Sequence, residues 1–165
     1  MKKNQNKVKF LVKSAIIAAL YVVLTFVARV FGLDSGAIQV RISESLVALL
    51  FFTPAAIPGL TIGCLLSNIL VGCVFWDVVF GTLATLIGAV AGYALRKYKY
   101  AVLIPNILSN AIIVPFVLKY VYAFDGALYY FIITVGIGEI ISCGILGMVL
   151  MMALMPIRNV LFKSN

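Results

Sequence analysis

The sequence predicts an all-α integral membrane protein with six transmembrane helices and both termini in the cytoplasm. Three observations favour this class. Apolar side chains make up 64% of the 165 residues and charged ones only 11%, whereas about a quarter of residues are charged in soluble proteins. The apolar residues form runs long enough for spans of roughly 20 residues. Most basic residues fall on the side where the termini are predicted, as they do at cytoplasmic surfaces.

The composition also excludes several kinds of function. Six spans leave almost no residues for a soluble catalytic or ATP-binding lobe. The chain has no histidine, so the side chain used most often for acid–base chemistry and metal binding is missing. Cys64, Cys73 and Cys143 lie in apolar runs at irregular spacing, which argues against a zinc site or a disulfide framework. We therefore expect no metal, no cofactor and buried, mostly inert thiols.

Six spans are predicted, at about 11–31, 42–53, 55–73, 76–96, 101–122 and 127–156. The first contains an unbroken apolar run from Ile16 to Ala28, and the chain stays apolar after it, unlike the chain after a secretory signal peptide. The second and third are separated at Pro54 and Pro58, because proline lacks an amide donor and interrupts a helix. The second span is therefore short, and we expect it to be tilted into the bundle or half-embedded.

Two stripes of small residues at helical spacing allow close packing of helices. The stripe on the fourth span consists of Gly81, Thr85, Gly88 and Gly92. The stripe on the first span consists of Ser14, Ala15, Ala18 and Ala19. For the fourth span we favour packing within the chain, whereas the first-span stripe is equally suited to a partner.

Charge sets the predicted orientation, since basic residues mark the cytoplasmic side. Ten of the thirteen basic residues fall on the side of the termini: Lys2, Lys3, Lys7, Lys9, Lys13, Arg96, Lys97, Lys99, Arg158 and Lys163. The five acids lie in the outer half or near the middle. Asp34 and Asp125 fall in outer loops, Glu44 and Asp77 begin the second and fourth spans, and Glu139 lies within the sixth. This pattern favours an outward pocket for a cationic, hydrogen-bonding solute.

Each acid also has a purely structural explanation. Glu139 could pair with Arg29, Arg41 or Lys119, because buried charges are normally paired. Glu44 follows Arg41 by three residues, so the two could form a local salt bridge on one helical face. Asp77 could simply be an acid in the first turn of the fourth helix, where the positive end of the helix dipole favours it. Ligand contact is the functional alternative for all three acids.

Amide and aromatic side chains near the acids offer further contacts. Asn68 lies in the outer part of the third span, and Asn106 and Asn110 share a face of the fifth because they are four residues apart. Amides can hold helices together or bind a heterocycle through donors and an acceptor. Trp76 and Tyr129 stand at outer helix ends, where anchoring in the membrane interface competes with stacking on a ligand ring.

Several catalytic motifs are missing from the sequence. It contains no Walker-type glycine loop followed by Lys and Ser or Thr, no GxSxG elbow and no HExxH helix. No inverted repeat of the kind found in many secondary transporters is evident. We therefore predict that the chain is not an enzyme and that any ATP hydrolysis is performed by other subunits.

Three segments carry a resemblance to a known family. They are QVRISESL at 39–46, PAAIPGLTIGCLLSN at 54–68 and DVVFGTLATL at 77–86. With the six-span pattern, they resemble the QueT-type substrate-binding subunits, or S components, of energy-coupling factor (ECF) transporters. The resemblance implies an S-component bundle in the plasma membrane of a bacterium, which captures a queuosine precursor from outside.

The resemblance also implies partners and a mechanism. Ala15 and Ala19 match the family's Ala-x-x-x-Ala pattern, which docks on a membrane-embedded scaffold subunit. Two ATPase subunits would supply the energy, and the loaded bundle would topple in the membrane to deliver its solute. The lipid bilayer is the other expected partner, and nucleic acid is not expected.

The implied solute is queuine or its aminomethyl or nitrile deazaguanine precursor. A carboxylate can accept two hydrogen bonds from a guanine-like edge, and a second can hold an ammonium group. We expect Glu44, Asp77 and Glu139 to share these tasks, without assigning which acid does which. The remaining expected contacts come from Asn68, Asn106, Asn110, Arg41, Trp76 and Tyr129.

Three other functions fit the same residues. An S component for a flavin-like or thiamine-like vitamin would use similar amide and carboxylate partners. A small ion-coupled exporter of cations would use Glu139 as its coupling group. An assembly subunit without a solute would use the acids only for ion pairing.

Overall fold

The structure is a computed structural model that describes residues 2–33, 38–123 and 125–162. Asp34 and Lys163, whose positions were predicted above, lie outside these residues. All regular structure in the described residues is helical, which confirms the all-α part of the prediction. The helices are α1 (Lys2–Val30), a 3₁₀ helix (Ile42–Phe51), α2 (Ala56–Leu70), α3 (Phe75–Ala94), α4 (Ile104–Tyr120), α5 (Leu128–Glu139), a π-helical segment (Ile140–Leu146), α6 (Gly147–Leu154) and α7 (Arg158–Leu161).

Three of these helices are long and apolar enough to cross a membrane, namely Asn4–Val30, Phe75–Ala94 and the continuous stretch Leu128–Leu154. The shorter apolar helices are Ile42–Phe51, Ala56–Leu70 and Ile104–Tyr120. Each helix falls within a predicted span to within a few residues, except that α1 begins nine residues before the predicted start and α7 lies after the end of the sixth span. The count of six crossings and the cytoplasmic position of the termini stay predictions.

The second predicted span is a 3₁₀ helix at the centre of the bundle. Residues Ser43 to Leu50 are all buried, and they pack against α1, α6 and the π-helical segment. A 3₁₀ helix rises about 2.0 Å per residue, compared with about 1.5 Å in an α-helix. Ten residues therefore extend about 20 Å, which lets a short segment run through the core.

Close contact between α1 and α2 depends on two glycines. A Cβ atom at Gly63 would lie 2.6 Å from Cβ of Tyr21 and 3.1 Å from Cα of Ala18, and one at Gly59 would lie 2.8 Å from Cβ of Ile17. Only glycine lets the backbones approach this closely. Ile17 and Tyr21 thereby join the apolar core.

The two small-residue stripes differ in how much of each is buried within the chain. On α3, Gly88 lies against Asn106 and Gly92 lies against the carbonyl of Val102, which confirms packing of that stripe within the chain. On α1 the stripe splits, since Ser14 and Ala18 are buried whereas Ala15 and Ala19 are exposed. One half of the α1 stripe therefore packs on α2, and the other half is left for the surroundings.

Candidate functional site

A polar cavity of about 190 Å³ lies where α1, α2 and α4 end and α3 begins. In the predicted orientation this is the outer side of the membrane. Its walls are formed by Thr25, Ala28, Arg29, Gln39, Arg41, Asn68, Val71, Cys73, Asp77, Val114, Leu118 and Tyr122. The structure thus brings together three predicted site residues, Arg41, Asn68 and Asp77.

Asp77 is the carboxylate of the cavity wall. Its side chain is only 6% exposed, and Oδ2 accepts a hydrogen bond of 3.0 Å from the hydroxyl of Tyr122. Burial and the charge of Asp77 raise the pKa of Tyr122 to about 12, so this phenol keeps its proton at neutral pH. A Cβ atom at Gly81 would lie 3.1 Å from Nδ2 of Asn68 and 3.8 Å from Oδ1 of Asp77, so the amide and the carboxylate converge over this glycine.

Two arginines give the cavity wall a different charge from the one predicted. Arg29 donates a hydrogen bond of 3.2 Å to the carbonyl of Val71, and the backbone N–H of Arg41 donates one of 3.0 Å to Oγ of Ser142. With Asp77, the wall therefore carries two guanidinium groups and one carboxylate. The predicted excess of acid is not found at this wall, because the other two membrane acids are buried deeper in the bundle.

Glu44 is held by what we call the Glu44 clamp, formed by Tyr21, Glu44 and Asn106. The Tyr21 hydroxyl donates to Oε1 of Glu44, and Nδ2 of Asn106 donates to Oε2 at 2.8 Å. All three side chains are at most 1% exposed. The oxygens of Glu44 thus take their hydrogen bonds from α1 and α4 rather than from Arg41, the partner suggested by sequence spacing.

Glu139 and Asn110 form a second buried polar pair. Asn110 lies beside Glu139 across the α4–α5 contact. Among the buried side-chain atoms that the structure describes, those without a hydrogen-bond partner are Glu139 Oε2, Asn110 Nδ2, Asn106 Oδ1 and Thr82 Oγ1. Ligand contact by Glu139 and an ion pair of Glu139 with a basic residue both stay predictions.

Trp76 and Tyr129 lie outside the cavity wall. Their side chains are 53% and 71% exposed, and Trp76 stacks on Phe80 with ring centroids 5.9 Å apart. These positions fit aromatic anchoring at a membrane interface. Substrate contact by either residue stays a prediction.

Sequence reasoning missed three residues that shape the site, namely Tyr21, Gln39 and Tyr122. A tyrosine inside an apolar helix was an available signal for Tyr21, because a buried phenol normally finds a hydrogen-bond partner. Gln39 lines the cavity, and a Cβ at Gly138 would collide with its carbonyl oxygen. No local pattern marks that contact, since 99 residues separate the two positions.

Comparisons with known proteins identify the family. The model of the QueT transporter family matches residues 11–156, which is most of the chain. The chain is also 41% identical over 84 residues to the queuosine precursor transporter QueT of Lactococcus lactis subsp. cremoris (strain MG1363), a match that covers 51% of this chain and 49% of that protein. The chain thus spans about half the length of this curated relative.

No solved structure matches the chain, so the family rests on sequence. The matched region contains every residue of the cavity wall and of both buried polar groups. The apolar helices fit a membrane protein, and the family indicates transport rather than catalysis. The resemblance noted in the sequence is confirmed, and the chain belongs to the QueT transporter family.

Proposed function

We propose that this chain is the substrate-binding subunit of an ECF-type importer and that it captures a queuosine precursor from outside the cell. The observation that carries the proposal is the polar cavity at the end of the bundle predicted to face outward, in a chain of the QueT family. The name of the Lactococcus relative supports the solute class.

The chemistry of the cavity suits a deazaguanine. Such a ring offers N–H donors and a carbonyl acceptor, and the cavity offers both carboxylate and amide groups at Asp77 and Asn68. Arg41 adds a donor for the carbonyl oxygen. Because the wall has donors and an acceptor rather than a uniform negative charge, it suits a polar heterocycle better than a simple organic cation.

The exposed half of the α1 stripe supports docking on a scaffold subunit. Ala15 and Ala19 are exposed, and small side chains let a partner helix approach closely. Two ATPase subunits, bound through the scaffold, would drive toppling of the loaded bundle. The excess of basic residues near both termini supports their cytoplasmic position in a bacterial plasma membrane.

Isothermal titration of the detergent-purified chain, without ATPase partners, tests this function. We expect submicromolar affinity for queuine or its aminomethyl or nitrile precursor, and affinity weaker by about 100-fold or more for riboflavin and guanine. Folded protein that binds none of the deazaguanines would overturn the solute assignment. Tight binding of riboflavin instead would identify a vitamin S component.

A further inference from the structure

Two buried groups on facing helices lack partners in a way that points to a ligand. The side chains of Glu139 and Asn110 are 8% and 4% exposed, and neither Oε2 of the acid nor Nδ2 of the amide has a hydrogen-bond partner among the described residues. Buried polar groups are almost always hydrogen-bonded, and an unpaired buried carboxylate is strongly unfavourable. The two side chains lie close enough to influence each other, and a molecule from outside the chain could complete the hydrogen bonds of both atoms.

Glu44 differs from Glu139 in this respect, although both acids are buried. The clamp supplies each Glu44 oxygen with a donor, from Tyr21 and from Asn106. These donors come from α1 and α4, so Glu44 joins two helices to the central 3₁₀ segment. Of these two acids, Glu139 is therefore the one that remains available for recognition.

Residues close to the pair along α4 and α5 reach the cavity wall, although neither Glu139 nor Asn110 is itself a lining residue. Asn110, Val114 and Leu118 follow one another at intervals of four on α4 and so share a face, and the last two line the cavity. On α5, Gly138 lies directly against the carbonyl of Gln39, another cavity residue. Glu139 is the next residue along the chain.

The donor and acceptor pattern of the pair defines a ligand class. A carboxylate accepts hydrogen bonds through two oxygens, and an amide N–H donates. Their complement is a ring edge with two adjacent N–H donors and a neighbouring carbonyl, which is the lactam–amidine edge of a guanine-like ring. An adenine-like edge has a single amino donor and would leave one carboxylate oxygen unpaired.

We propose that Glu139 and Asn110 read the guanine-like edge of the solute, that Asp77 holds its side-chain amine, and that Glu44 positions the helices without contacting the solute. This assignment rests on the proposed function. Asp77 suits the amine because it lies in the cavity wall on α3 rather than on α4 or α5, with one carboxylate oxygen accepting a hydrogen bond from Tyr122.

Titration of three variants with two ligands tests the assignment. The ligands are the aminomethyl deazaguanine, which is cationic, and the nitrile deazaguanine, which is neutral. E139Q and N110L are each expected to weaken the binding of both ligands. For E139Q the affinity should fall by about 10- to 100-fold, because hydrogen bonds to a charged group are lost. D77N is expected to weaken the aminomethyl compound by a similar factor and the nitrile by less than about threefold.

D125N is the matched control, since Asp125 is an exposed acid outside the cavity wall. It should leave both affinities within about threefold. E139Q is expected to fold, because it removes an unpaired buried charge, and its unfolding temperature without ligand should be at least that of the wild type. If E139Q does not fold, the assignment is tested by the affinities of N110L and by comparing the affinities of the wild type for deazaguanine and deazaadenine.

The outcomes separate this assignment from the proposed function. If the wild type binds deazaguanines but E139Q and N110L bind both ligands within about threefold of it, the assignment is wrong and the function stands. The assignment is equally wrong if E139Q weakens only the cationic ligand, or if deazaadenine binds as tightly as deazaguanine. If the folded wild type binds no deazaguanine, the proposed function fails, and the assignment fails with it.

Discussion

Substitution of Tyr21 by Phe tests whether the Glu44 clamp stabilises the bundle. Y21F keeps the aromatic ring that packs against Gly63 but removes the hydroxyl that donates to Oε1 of Glu44. Both side chains are 1% exposed, so solvent water does not replace the lost donor. A hydrogen bond to a charged group contributes about 1.5–3 kcal/mol, and we expect the free energy of unfolding to fall by that amount.

The assay is reversible unfolding of the purified chain in mixed micelles of a mild detergent and dodecyl sulfate. Y129F is the matched control, because Tyr129 is 71% exposed, and it should change the free energy by less than about 0.5 kcal/mol. A double-mutant cycle of Y21F with N106A should give a coupling of at least about 0.5 kcal/mol through the shared carboxylate. Equal stability of Y21F and Y129F would refute the structural role assigned to the clamp.

Three further predictions follow from packing, docking and access to the cavity. G63A should lower the free energy of unfolding by about 1–3 kcal/mol, because the added methyl group meets Tyr21 and backbone atoms of α1; the same micelle assay measures it. A15L combined with A19L should abolish solute uptake by cells while leaving the affinity of the purified chain unchanged. Cys73 should react with a membrane-impermeant maleimide on intact cells, and bound solute should slow the reaction because this thiol lines the cavity. Burial and the nearby charge of Asp77 raise the pKa of Cys73, so the rate should increase about tenfold per pH unit below that pKa.

Each of these predictions has a control and a contradicting result. G136A is the control for packing, since a Cβ at Gly136 meets only an ordinary contact at 3.9 Å; equal effects of the two substitutions would contradict the close approach of α1 and α2. A153L makes one such substitution at another exposed helical position, and loss of uptake in this variant too would remove the case for a specific docking face. Cys64 and Cys143 are buried, so a C73S variant should not be labelled, and labelling of it would contradict the structure.

Much of the fold could be predicted because a membrane imposes a simple rule on composition. Long apolar runs must be helical to satisfy their backbone groups, and the helix ends follow from prolines and charges. The 3₁₀ form of Ile42–Phe51 could not be predicted, because after the polar residues Ser43, Glu44 and Ser45 its side chains are all apolar and give no period. Burial among several helices, rather than local sequence, sets its geometry.

The sequence predicted several residues of the candidate site, but it did not predict which side chains contact one another. Arg41, Asn68 and Asp77 do meet in one cavity, since each lies near the predicted outer end of a helix. Spacing along the chain suggested a pair of Glu44 with Arg41, yet its partners are 23 and 62 residues away. Such contacts depend on how helices are arranged around the 3₁₀ segment, which a single sequence does not encode in any local pattern.

The 3₁₀ geometry also determines which changes in length the chain tolerates. With three residues per turn, side chains three apart are eclipsed, so Glu44, Val47 and Leu50 form one row, and all three are at most 1% exposed. Insertion or deletion of one residue before Glu44 in this helix would rotate the row by about 120° and shift it by about 2 Å, moving the carboxylate away from both of its donors. Homologous chains should therefore vary freely in the identity of apolar residues here but keep a constant number of residues between Arg41 and Phe51, whereas the connection between α3 and α4 can change in length.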